Sequence, residues 1–307
     1  MNKPLINSNS DEYLIVDPRL DSFSGDIIDF NKLPKISFCI PTFNSARTLE
    51  KCLLSITQQN YPDMEIIIVD NGSTDESVEI AEKYSDKIYY DDGLLGSVRQ
   101  KSVEKSNGTI IALFDSDIYI PHRNWLLNSI KYFNYSNEVS TVWPLNVAPP
   151  GAPKTTRLYF NLWSIFMNNR ISKNKSVFGG GNALFLRSCI NEIGGIDKAI
   201  HWGEDFDWAQ KLKGLGYKVI AINDPLYHDT MPSLTEFTKK QFIASDSFTK
   251  EGLDVMGLSK TDLIYENIVL GSKHMFKGLA SDSSWVLYPL FVSIRGLGFF
   301  YNFLRNR

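Results

Sequence analysis

Apolar and polar residues alternate in blocks along residues 35–117, and the block lengths predict strands separated by helices. Short apolar runs predict four strands, at residues 36–40, 65–70, 87–90 and 109–114. Between them, apolar residues at helical spacing predict helices over residues 47–59, 75–84 and 97–105. Strands that alternate with helices in this way pair in parallel. The first half of the chain is therefore predicted to form a doubly wound α/β sheet.

The alternation becomes less regular after Asp117. Helices are predicted at residues 125–133, 158–167 and 206–215, and extended segments at 139–147, 183–186 and 217–222. From Ser233 onwards the pattern reads as helical. Residues 1–34 are polar and aperiodic and predict a leader packed loosely on the body. The pattern favours one continuous α/β domain over residues 35–230, followed by a helical C-terminal region over 231–307.

Composition narrows the class of protein. The chain has 307 residues, of which 43% are hydrophobic and 22% charged. These values are typical of a soluble globular protein and exclude collagen, coiled coil and wholesale disorder. A net charge of −3 argues against a dedicated nucleic-acid binder. Cys39, Cys52 and Cys189 show no CxxC spacing, so neither a disulfide framework nor a zinc site is indicated. The N-terminus lacks a signal-peptide profile, which predicts a cytoplasmic location.

Polar loops follow three of the predicted strands. They are Pro-Thr-Phe-Asn at 41–44, Asp-Asn-Gly-Ser-Thr-Asp at 70–75 and Asp-Ser-Asp at 115–117. Each of them taken alone is compatible with a turn or a helix cap. In an open parallel sheet, however, ligands bind at the carboxyl ends of the strands. Three such loops in succession therefore predict one binding crevice.

The Asp115-Ser-Asp117 triplet predicts a metal site. Residues two apart at a strand end face the same side, so the carboxylates of Asp115 and Asp117 converge. Two carboxylates that close repel each other unless a cation or a hydrogen-bonding ligand lies between them. Hard oxygen ligands suit Mn²⁺ or Mg²⁺. We expect a divalent cation here that bridges to a diphosphate.

These motifs, together with Gly-Glu-Asp at 203–205, resemble those of the family 2 glycosyltransferases, over roughly residues 35–230. The resemblance implies a GT-A fold, in which a Rossmann-like, mostly parallel central sheet is flanked by helices. Residues 35–117 would form the nucleotide-binding half and residues 118–230 the acceptor half. The implied activity is inverting transfer of a sugar from a nucleotide-sugar donor. UDP- and GDP-linked donors are both compatible. The resemblance does not identify the acceptor, which we expect to be a glycan or a lipid-linked molecule.

The resemblance also implies roles for individual residues. Those that would bind the donor nucleotide are Pro41, Thr42, Phe43, Asn44, Asp70, Asn71, Arg99, Asp115 and Ser116. Those that would ligate the metal are Asp117, His228 and Asp115. Those that would shape the acceptor side are Gly180, Gly181, Trp202 and Glu204. His228 also fits a structural role, and Arg99 also fits a solvated helix-face cation.

Asp205 corresponds to the general base of the family. Inversion needs one carboxylate that takes the proton from the acceptor hydroxyl as it attacks the anomeric carbon. Capping of the following helix is the alternative role for its neighbours Glu204 and Asp207. The leaving diphosphate needs no acid if a metal and Arg99 neutralise its charge.

Two other classes of function remain open. A sugar nucleotidyltransferase would share the sheet, but it typically opens with a Gly-rich loop containing Arg and followed by Lys, and residues 41–44 contain neither. A catalytically inactive nucleotide-sugar-binding module would be favoured by broken carboxylates. Asp70, Asp115, Asp117 and Asp205 are all intact, which favours the enzyme.

The C-terminal segment, residues 283–307, is apolar, aromatic and basic. Residues 271–307 carry five Lys and Arg against one Asp. A spanning helix needs about 20 nearly uninterrupted apolar residues, and this segment is interrupted by Pro289 and Arg295. The apolar anchors expected to contact an anionic membrane surface are Trp285, Leu287, Phe291, Phe299, Phe300 and Phe303, with Arg295, Arg305 and Arg307 reaching the headgroups. Internal packing or a dimer interface is the alternative.

Overall fold

The computed structural model describes residues 14–15, 33–172, 182–200, 204–243 and 259–305. The chain divides into two compact units, each described by itself. One comprises Met1–Asn146 with Phe178–His228, and the other Val147–Val177 with Asp229–Arg307. The segment 147–177, predicted to lie within the α/β domain, thus groups with the C-terminal helices. The domain boundaries derived from the sequence stay a prediction.

The described residues of the first unit are organised around a mixed sheet in the spatial order β1-β9-β7-β8-β5-β2-β3-β4, with β6 paired to β9. Its strands are β1 (Leu14–Ile15), β2 (Ile36–Thr42), β3 (Met64–Asp70), β4 (Ile88–Tyr90), β5 (Ile110–Leu113), β6 (Ile118–Tyr119), β7 (Val139–Val147), β8 (Ala183–Leu186) and β9 (Lys218–His228). The helices of this unit are α1 (Ala46–Thr57), α2 (Ser77–Ala81), α3 (Leu95–Lys105), α4 (Trp125–Ile130) followed by a 3₁₀ turn (Lys131–Asn134), α6 (Arg187–Glu192) and α7 (Glu204–Gly214). Helix α5 (Lys154–Ser172) belongs to the second unit.

Strands β2, β3, β4 and β5 are parallel, which confirms the α/β prediction. Strands β2, β3 and β5 are short apolar runs whose residues are nearly all buried, as parallel strands covered by helices require. In register, Thr42 lies opposite Asp70, and Asp70 lies opposite Tyr90. The polar loops that follow these strands therefore begin at one edge of the sheet.

The second half of the sheet departs from the parallel pattern. Strand β8 is antiparallel to both β5 and β7, and β6 is antiparallel to β9. Strand β9 is longer than predicted and extends to His228. The leader, for which no strand was predicted, contributes β1, which pairs in parallel with Val219 and Ile220 of β9.

The core of the first unit lies between the sheet and its helices. Phe38 of β2 and Trp125 of α4 both make edge-to-face contacts with Phe114, at centroid distances of 5.3 and 5.8 Å. All three rings are buried. Each such aromatic pair contributes about 0.5–1.5 kcal/mol to stability beyond the contribution of the apolar area that it buries. This packing supports the strand end that carries Asp115.

The described residues of the second unit are mainly helical, as predicted from Ser233 onwards. Besides α5 it contains α8 (Leu234–Ile243), α9 (Lys260–Ile264), a π-helical segment (Tyr265–Val269), α10 (Leu270–Ser281), a 3₁₀ turn (Ser283–Leu287) and α11 (Tyr288–Arg305). Its buried cluster includes Leu158, Phe237, Trp285 and Phe291. At Gly278 of α10 a Cβ would lie 2.2 Å from the Trp285 ring, so only glycine permits this approach.

The structure corrects several of the expected membrane anchors. Trp285 and Phe291 are buried, and Leu287 packs against the same cluster. The Nε and Nη1 atoms of Arg295 are also buried, and burial lowers the pKa of this side chain to about 10. The side chains of Phe303, Arg305 and Arg307 lie outside the described residues. Of the expected apolar anchors, Phe300 is exposed.

The exposed face of α11 is nonetheless apolar. Its large exposed side chains are Leu290, Leu297, Phe300, Tyr301 and Leu304, and most of them lie three, four or seven residues apart. Leu297 is 64% exposed and Phe300 61%. Helix α11 therefore buries one apolar face and exposes another. Among the helices that the structure describes, none has both the length and the hydropathy to span a bilayer.

Candidate functional site

The candidate site lies in the first unit, where β2, β3 and β5 end. After β2, Thr42 is buried and Phe43 is 58% exposed, so its ring is open to a ligand. Asn44 has φ +46°, a left-handed conformation that Asn tolerates better than most residues. Its Oδ1 accepts a hydrogen bond from the Thr74 amide at 2.8 Å. Asn44 thus ties the loop after β2 to the loop after β3.

Asp70 and Asn71 organise the loop after β3. Asp70 Oδ2 accepts hydrogen bonds from the amides of Gly72 and Ser73, both at 2.9 Å, and its Oδ1 accepts one from Ser73 Oγ. Asn71 Nδ2 donates to the carbonyl of Asp91, which follows β4. Both side chains therefore have structural partners. Their contact with a nucleotide, like that of Pro41, stays a prediction.

The loop after β5 carries the Asp115-Ser116-Asp117 triplet. Ser116 Oγ lies 2.7 Å from Ser45 Oγ, which joins this loop to the start of α1. Asn182 holds Asp115 from the opposite side, because its Oδ1 accepts from the Asp115 amide at 2.9 Å and its Nδ2 donates to Asp115 Oδ2 at 3.2 Å. Sequence reasoning placed the loop that ends at Asn182 on the acceptor side and did not predict its contact with Asp115. Its position between the glycine run and β8 was the available signal.

Asp115, Asp117 and His228 form the strongest cluster of candidate ligands within the described residues. One ligand atom from each lies within 4.8 Å of the others. His228 Nε2 is 3.0 Å from Asp117 Oδ1. The antiparallel pairing of β6 with β9 places His228 opposite Ile118, and so beside Asp117. Two carboxylates and an imidazole that are only partly buried form a donor set that fits Mn²⁺ or Mg²⁺.

Arg99, on α3, lies behind this cluster. Its Nη2 is 2.6 Å from Asp115 Oδ1, and its Nη1 is 2.7 Å from Glu204 Oε1. Only 4% of the residue is exposed. Burial lowers the pKa of Arg99, but Glu204, Asp115 and Asp205 outweigh burial and raise the pKa above its ordinary value. The solvated helix-face cation is therefore the wrong description. Contact with a diphosphate stays a prediction.

Glu204 and Asp205 begin helix α7, and both are buried. Asp205 Oδ1 accepts a hydrogen bond from the Phe206 amide at 2.9 Å, within the first helical turn. Burial raises the pKa of Glu204 to about 7. The charge of Arg99 opposes this rise, and the charge of Asp205 adds to it. Asp207, by contrast, pairs with Lys211 one turn later. The first turn of α7 thus faces Arg99 with two carboxylates.

Three residues predicted for the acceptor side, Gly180, Gly181 and Trp202, lie outside the described residues. Glu204 is the fourth, and its partner is Arg99. The structure therefore brings Asp115, Asp117 and His228 together and joins Arg99 and Glu204 to them.

Comparison with known proteins places this chain in a family. Residues 37–194 match Glycosyl transferase family 2. The chain belongs to this family. The match contains the loops after β2, β3 and β5, together with Arg99 and Asn182. The chain is therefore a glycosyltransferase, as the sequence motifs predicted.

Two relatives illustrate the similarity to curated glycosyltransferases. Glycosyltransferase AglE of Haloferax volcanii is 28% identical over 219 residues, which cover 68% of this chain and 71% of AglE. Glycosyltransferase GlyA of Streptococcus pneumoniae is 35% identical over 212 residues, 63% of this chain but 30% of GlyA.

Solved structures confirm the GT-A fold of this glycosyltransferase. The mannosyltransferase PcManGT from Pyrobaculum calidifontis, in complex with GDP-Man and Mn²⁺, superposes with a TM-score of 0.57 at 16% identity, covering 91% of this chain and 88% of PcManGT. Glucosyl-3-phosphoglycerate synthase from Mycobacterium tuberculosis, in complex with Mg²⁺ and UDP, gives 0.53 at 16% identity, with 81% and 88% covered. At this identity the likeness establishes the fold alone.

Proposed function

We propose that this chain is a metal-dependent, inverting glycosyltransferase that moves one sugar from a UDP- or GDP-linked donor to an acceptor hydroxyl. The observation that carries the proposal is the cluster of Asp115, Asp117 and His228 at the end of β5, with the carboxylate of Asp205 on the adjoining α7. Family membership and the metal-bound nucleotide complexes of the structural neighbours support it.

The loops after β2 and β3 would bind the nucleotide. The exposed ring of Phe43 would lie against the base, and Asp70 would accept a hydrogen bond from its polar edge. Asn44 holds these two loops together, and Asn71 ties the loop after β3 to the carbonyl of Asp91. Both contacts would fix the pocket before the donor arrives. A preformed pocket lowers the ordering cost of binding.

Asp115, Asp117 and His228 would hold the divalent cation. When bound, Mn²⁺ or Mg²⁺ supplies positive charge that stabilises the leaving nucleoside diphosphate. Arg99 and Asn182 hold the carboxylate of Asp115 in place. Asp115 and Ser116 would both contact the donor.

Asp205 would act as the general base and take the proton from the acceptor hydroxyl. One carboxylate is sufficient for a direct displacement with inversion, whereas a retaining glycosidase uses two carboxyl groups that flank the bond. Glu204, Gly180, Gly181 and Trp202 would shape the acceptor side. We propose a glycan or a lipid-linked molecule as the acceptor.

Release of nucleoside diphosphate from a panel of UDP- and GDP-sugars tests the proposal. We expect turnover of at least one donor with Mn²⁺ or Mg²⁺ and loss of that turnover in excess EDTA. A protein that binds a nucleotide sugar in Mn²⁺ yet releases no nucleoside diphosphate with any acceptor would instead be the inactive binding module.

We further propose that the exposed face of α11 contacts an anionic membrane surface. Leu290, Leu297, Phe300 and Leu304 supply the apolar contact. In the same unit α10 presents Phe276, 79% exposed, between the exposed Lys273 and Lys277. Each basic residue near an anionic surface contributes about 1 kcal/mol, which falls with salt. The cytoplasmic location stays a prediction from the sequence.

Flotation with anionic vesicles at low salt tests this contact. We expect the wild-type chain to float, and the double variant Leu297→Glu/Phe300→Glu to remain in the bottom fraction, because two carboxylates replace the two most exposed large apolar side chains described on α11. Leu215→Glu, at a leucine of the first unit that is 50% exposed, is the control and should float. The wild-type protein could instead stay at the bottom and form a dimer, with the double variant monomeric. That result would assign this face to contact with a second copy of the chain.

A further inference from the structure

One guanidinium joins the two halves of the proposed active site. Arg99 contacts Asp115, a candidate metal ligand at the end of β5, and Glu204, which precedes the candidate base Asp205 on α7. The two contacts measure 2.6 and 2.7 Å and use different terminal nitrogens. The planar fork of Arg suits such a double contact, and the single ammonium of Lys does not.

The helix that carries Arg99 is itself fastened to the segment before α7. The Ile196 amide donates to Gln100 Oε1 at 2.7 Å, and the Gly96 amide donates to the Ile200 carbonyl at 3.2 Å. A Cβ on Gly96 would lie 2.1 Å from the Asp197 carbonyl oxygen, so glycine is required for this approach. Residues 96, 99 and 100 lie on one face of a helix. This face of α3 contacts the polypeptide on both sides of the 201–203 interval that leads to Asp205.

Three nearby carboxylates explain why the Arg99 guanidinium is held in this buried position. Glu204 and Asp205 are buried, Asp115 is partly buried, and all three raise the pKa of Arg99. A buried carboxylate without a countercharge is costly. With 4% of its surface exposed and two carboxylates in contact, Arg99 presents little surface to a diphosphate.

We propose that Arg99 is a positioning residue: it clamps Asp115 to Glu204 and thereby sets the distance between Asp205 and the Asp115–Asp117–His228 cluster, instead of binding the donor diphosphate. The inference rests on the proposed function. It differs from the role that the family resemblance implies, because Arg99 would act on the reaction through two carboxylates and not through the leaving group.

Arg99→Lys separates the two roles. Affinities for UDP and UMP, and for GDP and GMP, are measured at pH 8 in EDTA, so that no metal links the phosphates to Asp115. If Arg99 positions carboxylates, the ratio of diphosphate to monophosphate affinity stays within about twofold of wild type. The kcat for Mn²⁺-dependent donor turnover falls about 10- to 100-fold, as a displacement of roughly 1 Å can cause. A ratio that falls tenfold or more, or an unchanged kcat, overturns the proposal.

Glu204→Gln provides a second route to the same decision, also where Arg99→Lys fails to fold. It removes the clamped charge with little change in shape, so kcat should fall while the affinity ratio holds. In the double variant the loss should be clearly smaller than the product of the two single losses, because both break one contact. Multiplicative losses, or a kcat unaffected by Glu204→Gln, would refute the clamp. Arg123→Lys, an exposed arginine of the same unit, is the control for the chemical change. Wild-type protein without turnover of any donor would refute the proposed function, while the nucleotide affinities would still report on Arg99.

Discussion

Replacing Asp205 with Asn is expected to lower kcat by about 10²–10⁴-fold, the usual loss when a positioned general base is removed. The amide cannot take a proton from the acceptor hydroxyl, yet it keeps the size of the side chain and can still accept the hydrogen bond from the Phe206 amide. Donor affinity should change little, since the base contacts the acceptor and not the nucleotide. Steady-state turnover and donor binding by calorimetry, both in Mn²⁺, measure the two quantities.

Asp207→Asn is the matched control for this prediction. Asp207 lies in the same helical turn of α7, but its carboxylate pairs with Lys211 at 2.6 Å and not with Arg99. Its substitution should leave kcat within a few-fold of wild type. Near-normal transfer by Asp205→Asn, combined with a large loss in Asp207→Asn or Glu204→Gln, would move the role of base to one of those neighbours.

The parallel part of the sheet could be predicted because its signals are local. Strands β2, β3 and β5 are short runs buried by helices on either side, and each helix shows its own apolar spacing. Parallel order then follows from the alternation. The polar loops after these strands were expected to meet at one edge, and the register of Thr42 with Asp70 confirms that expectation.

Contacts between distant segments could not be predicted in the same way. The antiparallel pairing of β6 with β9 brings together Asp117 and His228, which are far apart in sequence. The local sequence pattern around Arg99 does not indicate Glu204 as its partner, since an arginine on a short helix usually points to solvent. The family resemblance selected these residues, but the contact between Arg99 and Glu204 required coordinates.

The C-terminal helices show a different limit of prediction from the sequence. Helix α11 is apolar on two faces, so the sequence pattern does not indicate which face is buried. Phe291 was expected at the surface and lies in the cluster with Trp285, whereas Leu297 and Leu304 are exposed. The side that packs against α8 is decided by partners such as Phe237, whose ring centroid lies 6.4 Å from that of Phe291.

Replacing Asp117 with Ala is expected to abolish the dependence of donor binding on Mn²⁺ and to reduce turnover by two or more orders of magnitude. A cation held by this cluster would contribute several kcal/mol of charge stabilisation at the leaving group, and each 1.36 kcal/mol is tenfold in rate. Asp117 supplies one of the clustered ligands and also contacts His228 at 3.0 Å, so its loss disturbs two of the three groups. Titration of the donor nucleotide with and without Mn²⁺ measures the effect.

The structure offers a close control for that substitution. Asp224 contacts His122 Nε2 at 2.9 Å, a second aspartate–histidine pair in the same unit that has no third ligand grouped with it among the described residues. Asp224→Ala removes the same chemical contact and should leave Mn²⁺-dependent binding and turnover intact. In EDTA, wild type, Asp117→Ala and Asp224→Ala should bind the nucleotide alike, because the loops after β2 and β3 are unchanged. Full wild-type turnover in excess EDTA would show that the Asp115–Asp117–His228 cluster has another role. The aspartate–histidine contact would then be structural, as it is at Asp224.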